Sequence, residues 1–167
     1  VFELKGRFDM QDQNDQTNVQ NAYGRASLDH YFSDDLYVNL FTDFEHDRFR
    51  DLRLRSRIGA GPGYRWLNTD AYTLKTAVGI TYTHEDFIVA ADRDFPGAVL
   101  TEEFTWRIAP KQEFYQRLDV FPSFETAKDV LLRAEFGYRQ RLGYGLYTDL
   151  SLIADYDNLP APGRKSN

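Results

Sequence analysis

Cysteine is absent from the chain, which excludes a disulfide framework and thiolate metal sites and is compatible with an oxidising, exported environment. Lysine is scarce, with 5 residues against 15 arginines, and there are only 3 histidines and 1 methionine. Nowhere is there a run of about 18 apolar residues, so a membrane-spanning helix is excluded; strands are not, because a two-faced strand never looks hydrophobic on average. A positive surplus is also missing. The net charge of -6 and isoelectric point near 5.0 have the wrong sign for a general phosphate-backbone binder, so nucleic acid is set aside as a partner. At 167 residues the chain is expected to form a single domain spanning 1–167. Its first residues already alternate like a strand, so a mature or trimmed product is expected.

What the chain has in abundance is aromatic residues, 16% with 11 Tyr and 13 Phe, combined with a polar mean hydropathy of -0.58. That combination suits an element with one very apolar and one very polar face. Two-residue alternation recurs nearly end to end, and no helical period is sustained. It predicts nine strands, at 1–10, 19–32, 36–46, 52–67, 71–85, 98–109, 112–121, 129–142 and 145–157. Even positions carry the apolar side chains, as in Leu36, Val38, Leu40 and Phe44, or Leu132, Ala134 and Phe136. Odd positions carry the charge, as in Asp43 and Glu45, or Arg139 and Arg141.

The connections alternate too. Tight turns are expected at 33–35, 68–70, 109–111 and 143–144, and longer polar segments at 11–18, 47–51, 86–97, 122–128 and from 158 onward. Short turns at one end facing longer loops at the other are the habit of outer-membrane barrels.

A two-faced sheet can close with its apolar side inward, as a soluble or periplasmic barrel binding an apolar ligand, or outward against lipid. Three features favour lipid outside. Phe32, Tyr64, Trp66, Tyr72, Trp106, Phe114 and Tyr144 gather at the tight-turn end, Phe44, Tyr82 and Tyr156 toward the other, and aliphatic residues such as Leu28, Leu40, Ile58 and Leu150 lie between. Aromatic girdles bracketing an aliphatic band are what amphipathic rings form at membrane interfaces. Strands of about ten residues, rising roughly 3.3 Å each and tilted near 40°, project to about 25 Å, the height of a barrel's apolar band. The charged face is rich in arginine interleaved with acids and with small residues such as Gly59, Gly61, Gly63, Gly79 and Gly137, and arginine forks pair well with carboxylates in confined space. Arg53, Arg55 and Arg57 of the fourth strand are expected to line the interior, with Glu103 and Arg107 of the sixth, Arg117 of the seventh, and Arg133, Glu135 and Arg139 of the eighth.

Local motifs in order carry a family resemblance. They are Tyr31-Phe32-Ser33-Asp34-Asp35-Leu36-Tyr37, then Asp47-Arg48-Phe49, then Gly59-Ala60-Gly61-Pro62-Gly63-Tyr64-Arg65 before Leu67-Asn68-Thr69, then Gly79 to Tyr82, and last Pro160-Ala161-Pro162-Gly163-Arg164-Lys165. With these the chain resembles the salt-induced outer-membrane proteins grouped as domain of unknown function 481, over essentially its whole length. The resemblance implies an outer-membrane barrel without assigned enzyme activity and supplies no catalytic residues. An initial strand pair and a closing strand expected of the family are absent. Since single-chain bacterial barrels have even strand counts, a complete barrel of about 10 to 12 strands is expected.

Sites of chemistry are sparse. His46 and His84 with Asp86 could sit near one rim, but interfacial histidines without a ligand role are the better reading, so no metal is expected. Glu85, Asp86, Asp92 and Asp94 lack the spacing of a calcium loop. Ser27, Ser56, Ser123 and Ser151 stand in no nucleophile elbow, and His30 falls on the opposite face from Ser27. Residues 59–63 lack the helix and the Lys-Ser/Thr of a phosphate loop; their glycines relieve crowding or permit curvature. The reading is an all-β, antiparallel up-and-down transmembrane β-barrel of the bacterial outer membrane. It is expected to be non-enzymatic and without cofactors, its partners being lipid and, if the lumen is open, small hydrophilic solutes or ions; otherwise the lumen is plugged by its own ion pairs.

Overall fold

The computed structural model describes residues 1–13, 16–48, 51–126, 129–143 and 146–158, leaving aside the side chains at 9–13 and 16–20. It is a meander of nine strands: β1 (Phe2–Gln13), β2 (Gln16–Tyr31), β3 (Leu36–Asp47), β4 (Leu52–Asn68), β5 (Tyr72–Phe87), β6 (Arg93–Ala109), β7 (Gln112–Pro122), β8 (Val130–Gly143) and β9 (Leu146–Asp157). Each pairs antiparallel with the next, in the order β1 to β9.

The sheet is curled into a half-barrel. Arg25 on β2 reaches Asp119 on β7 at 3.4 Å, and Arg55 on β4 reaches Asp157 on β9 at 3.1 Å. In a flat sheet five strand spacings would hold such groups about 24 Å apart, beyond the reach of any two side chains. Curling brings the odd-numbered, charged rows together on the concave side and turns the even-numbered rows outward. Leu40 is 46% exposed, Ile58 56% and Leu150 76%, while Arg55 is 3% exposed.

The inner side is not wholly ionic. Phe41 of β3, Val99 of β6, Phe121 of β7 and Leu131 of β8 form a small apolar cluster within it. Three inner aromatics lie directly across the ladder from glycines: Tyr37 from Gly63, Phe41 from Gly59 and Tyr115 from Gly137. A β-carbon added at these glycines would stand 2.1–2.6 Å from ring atoms, so the rings lie flat over bare backbone. That gives Gly59, Gly63 and Gly137 a specific role, as floors for rings.

The strands run longer than the sequence predicts at the end expected to be elaborated. The β1–β2 hairpin continues to Gln13 and resumes at Gln16, and β6 begins at Arg93 rather than near 98. The polar stretch 86–97 is expected as a loop. Pro96 is accommodated because above Leu100 the continuous β6–β7 ladder gives way to an isolated Gly97–Ser123 bridge and a Phe124 N–H bond to the Pro96 carbonyl at 3.0 Å, so the missing proline N–H interrupts no regular ladder on that side. The connection between β5 and β6 shrinks to 88–92 and that between β3 and β4 to 48–51, so the two ends differ less in loop length than expected.

Asp51 closes this end. It holds the left-handed conformation with φ of 63°, which aspartate tolerates better than most residues. Its carbonyl accepts the Ile88 N–H at 2.9 Å and its carboxylate accepts those of Val89 and Ala90 at 3.3 and 3.2 Å. Beneath this clasp Leu52, Phe87 and Ala90 pack together.

Candidate functional site

Among the described residues the buried ionisable groups converge on the concave face, and the ladder register explains how. With side chains alternating, every second residue of adjacent strands meets at the same height. Asp43 therefore stands opposite Arg57, Glu45 opposite Arg55 and Arg55 opposite Glu85.

Arg55 is a hub. Its guanidinium binds Glu85 at 2.5 Å, Glu45 at 3.1 Å and Asp157 at 3.1 Å, three carboxylates from β5, β3 and β9. Glu85, fully buried, is also paired with Arg93, which holds Asp129 at 3.0 Å. Burial pushes the Asp129 carboxyl above its ordinary range; the Arg93 guanidinium opposes that, and the nearby Glu85 and Asp157 reinforce it.

A second network runs as a belt. Arg57 pairs with Asp43 at 3.1 Å, Asp43 with Arg25 at 3.8 Å and Arg25 with Asp119 at 3.4 Å. The belt continues from Asp119 to Arg117 at 2.8 Å, Arg117 to Glu103 at 2.6 Å, Glu103 to Lys75 at 3.0 Å and Lys75 to Asp29 at 2.7 Å. Asp119 also accepts the Thr101 hydroxyl at 2.7 Å. Some arginine nitrogens, among them Nε and Nη2 of Arg25 and Nη1 of Arg57, have no acceptor. Their guanidiniums lie instead over rings, Arg25 at 4.3 Å from the Phe41 centroid and Arg57 at 3.7 Å from that of Phe121, where the ring face offers partial compensation.

The remaining inner residues complete the picture. Arg133 pairs with Asp155 at 2.6 Å, approaches Glu45 at 3.6 Å and lies over the Tyr23 ring. Glu135 accepts from Lys5 at 3.2 Å and from the Tyr115 hydroxyl at 3.2 Å. Arg139 holds Asp149 at 2.8 Å and Glu113 at 3.0 Å. Arg107 lies exposed at the tight-turn mouth, donating to the carbonyls of Thr69 and Asp70.

Arg53 departs from its expected place. The register slips between Leu52 and Leu54, leaving Arg53 without a ladder partner. Leu52 takes the inner position, and the Arg53 side chain is 59% exposed, paired with Asp86 at 3.1 Å at the rim.

The packing leaves little free space. One void among Glu45, Arg55, Arg57 and Arg133 is about 10 Å³, and another among Lys5, Arg25, Arg117 and Glu135 about 30 Å³. These hold a water or two at most.

The aromatic residues of the even rows are on the outer face. Phe32, Tyr64, Trp66, Tyr72 and Trp106 are exposed and Phe114 is half-buried; Tyr144 lies outside the described residues, as do Phe49 and 160–165. Neighbours are in contact: Tyr64 meets Trp66 edge-on at 4.9 Å, and Tyr72 stacks with Trp106 at 6.2 Å. His46, His84 and Asp86 are each engaged separately. His46 bonds the Arg53 carbonyl at 2.7 Å, His84 bonds Asp94 at 2.8 Å, and Asp86 serves Arg53. Among the described residues no group of three or more His, Asp or Glu is arranged for a metal.

Residues the sequence reading did not single out as lining are central here: Arg25, Asp29, Asp43, Glu45, Lys75, Glu85, Asp119 and Asp157. The signal was available, because all share the odd parity of the expected ones.

Fold and site together define a class: an up-and-down antiparallel half-barrel whose concave side is filled by ion pairs and whose convex side is apolar. The chain belongs to the family described as protein of unknown function, DUF481, which it matches over residues 1–167. Comparison with curated proteins and with solved structures found no match.

Proposed function

We propose that this protein is a non-enzymatic transmembrane β-barrel of the bacterial outer membrane whose interior is closed by its own ion pairs. The observation that carries this reading is the inversion of the usual sides: aliphatic residues face out around the sheet while buried arginines and carboxylates face in. Each Leu or Ile left in water forgoes about 1.5–3 kcal/mol of burial, and lipid would recover it. The exposed rings at the tight-turn end suit the headgroup region. The ion-paired belt and the Arg55 hub, with voids of about 10 and 30 Å³ between them, favour a plug over a pore. Outer-membrane lipid is then the partner.

Two measurements test the two halves of this reading. Circular dichroism of the full-length protein should show strand only once micelles or lipid are added; a monodisperse folded protein in plain buffer would overturn the membrane assignment. In planar bilayers the reconstituted protein should give no stepwise current, and regular single-channel steps would replace the plug with a pore.

A further inference from the structure

At the tight-turn mouth the charge balance of the interior fails. Deeper in, each buried arginine meets carboxylates. Here Arg107 at the end of β6, Lys111 in the following turn, and Arg139 and Arg141 on β8 line an open cavity of about 580 Å³. Among them only Arg139 is neutralised, by Asp149 and Glu113. Arg107 is fixed through neutral acceptors, the carbonyls of Thr69 and Asp70 and the Thr73 hydroxyl, which aim its fork without cancelling its charge. Lys111 and Arg141 meet no carboxylate among the described residues. Four cations stand against two lining carboxylates, Asp70 and Glu113, in a chain whose net charge is -6. The rest of the lining is largely small or apolar: Ala71, Ile108, Ala109 and Pro110.

We infer that this vestibule binds a small organic phosphate, the phosphate held by Lys111, Arg141 and Arg107 and the organic body resting on the Ala71, Ile108 and Pro110 floor. A cavity of this size falls within the range of small-molecule sites, and arginine forks with a lysine are the set that recognises a dianionic oxyanion. Asp70 is the opposing charge and limits affinity. The site does not depend on what surrounds the outer face.

The test uses phenyl phosphate as probe, titrated into the folded protein and followed by calorimetry. Saturable binding is expected, weakened at least about tenfold in the Lys111→Gln, Arg141→Gln double variant. Neither residue has an ionic partner to lose, and matched circular dichroism confirms an intact fold. Asp70→Asn should tighten binding severalfold and supplies a second reading should the double variant misfold. No saturation by the wild type, or equal affinity in the double variant, overturns the site; inorganic phosphate binding as tightly as phenyl phosphate overturns the role of the floor.

Discussion

Arg55 meets three carboxylates, from strands that are neighbours in one case each side and distant in the third. Truncating it to methionine leaves Glu45, Glu85 and Asp157 facing one another in a buried space. A loss of about 3–5 kcal/mol is expected, because an uncompensated buried charge costs far more than an intact pair contributes. Denaturant unfolding of Arg55→Met against the wild type measures it, and a change within experimental scatter would show the hub to be inert. Arg53, two residues earlier, is the control: it is exposed, and Arg53→Ala should change stability by no more than about 1 kcal/mol. The two arginines are equivalent in the sequence pattern. What separates them is a one-residue register slip that alternation cannot announce, because a bulge leaves the residue types around it unchanged. Asp51 is a further residue-scale feature; Asp51→Ala should leave the fold in place but expose the 88–92 connection to proteolysis, since the Val89 and Ala90 N–H groups lose their carboxylate acceptor.

For the strands, alternation carried most of the information. Nine strands, their order of apolar and charged faces and the convex placement of Leu40 and Ile58 all follow from a period of two. Strand ends did not follow as well. Residues 93–97 look like a loop until they are seen to pair with β5, and polar residues near Gln13 and Gln16 look like a loop although their backbones pair. The pairing of a ring with a bare glycine across a ladder was not legible either, because Tyr115 and Gly137 are brought together only by register. This arrangement yields a prediction for the element. In Gly137→Val the new side chain would occupy the place of the Tyr115 ring, whose atoms stand 2.1 Å from a β-carbon there, and would free the hydroxyl from Glu135 and Asp149. Overpacking of this kind costs about 1–3 kcal/mol. Combining it with Tyr115→Ala should recover part of the loss, and a double variant no better than the single would contradict the steric account.

Across the whole molecule the interior is held by ion pairs, while the convex side exposes its aliphatic rows. Buried pairs are screened much less by salt than exposed ones. Raising ionic strength should therefore leave Arg55 and its partners nearly untouched while loosening the rim pair of Arg53 with Asp86, which amide exchange at 52–54 and 86–87 would resolve. The partners themselves were beyond the sequence reading: nothing local joins Arg25 to Asp119, 94 positions away, and only the curl of the sheet does so.

The last strand has a consequence for how the chain assembles. Asp149, Asp155 and Asp157 on β9 are acceptors for Arg139, Arg133 and Arg55 in turn. Until those acids arrive, earlier strands hold arginines short of counter-ions, and the contact from Arg55 to Asp157 closes a stretch of 102 positions. Docking of β9 thus brings those three arginines their remaining acceptors, so partly assembled sheets gain little and the transition should be steep and late. A chain ended before Leu146 is expected to fail to assemble rather than to form a slightly smaller version of the same sheet.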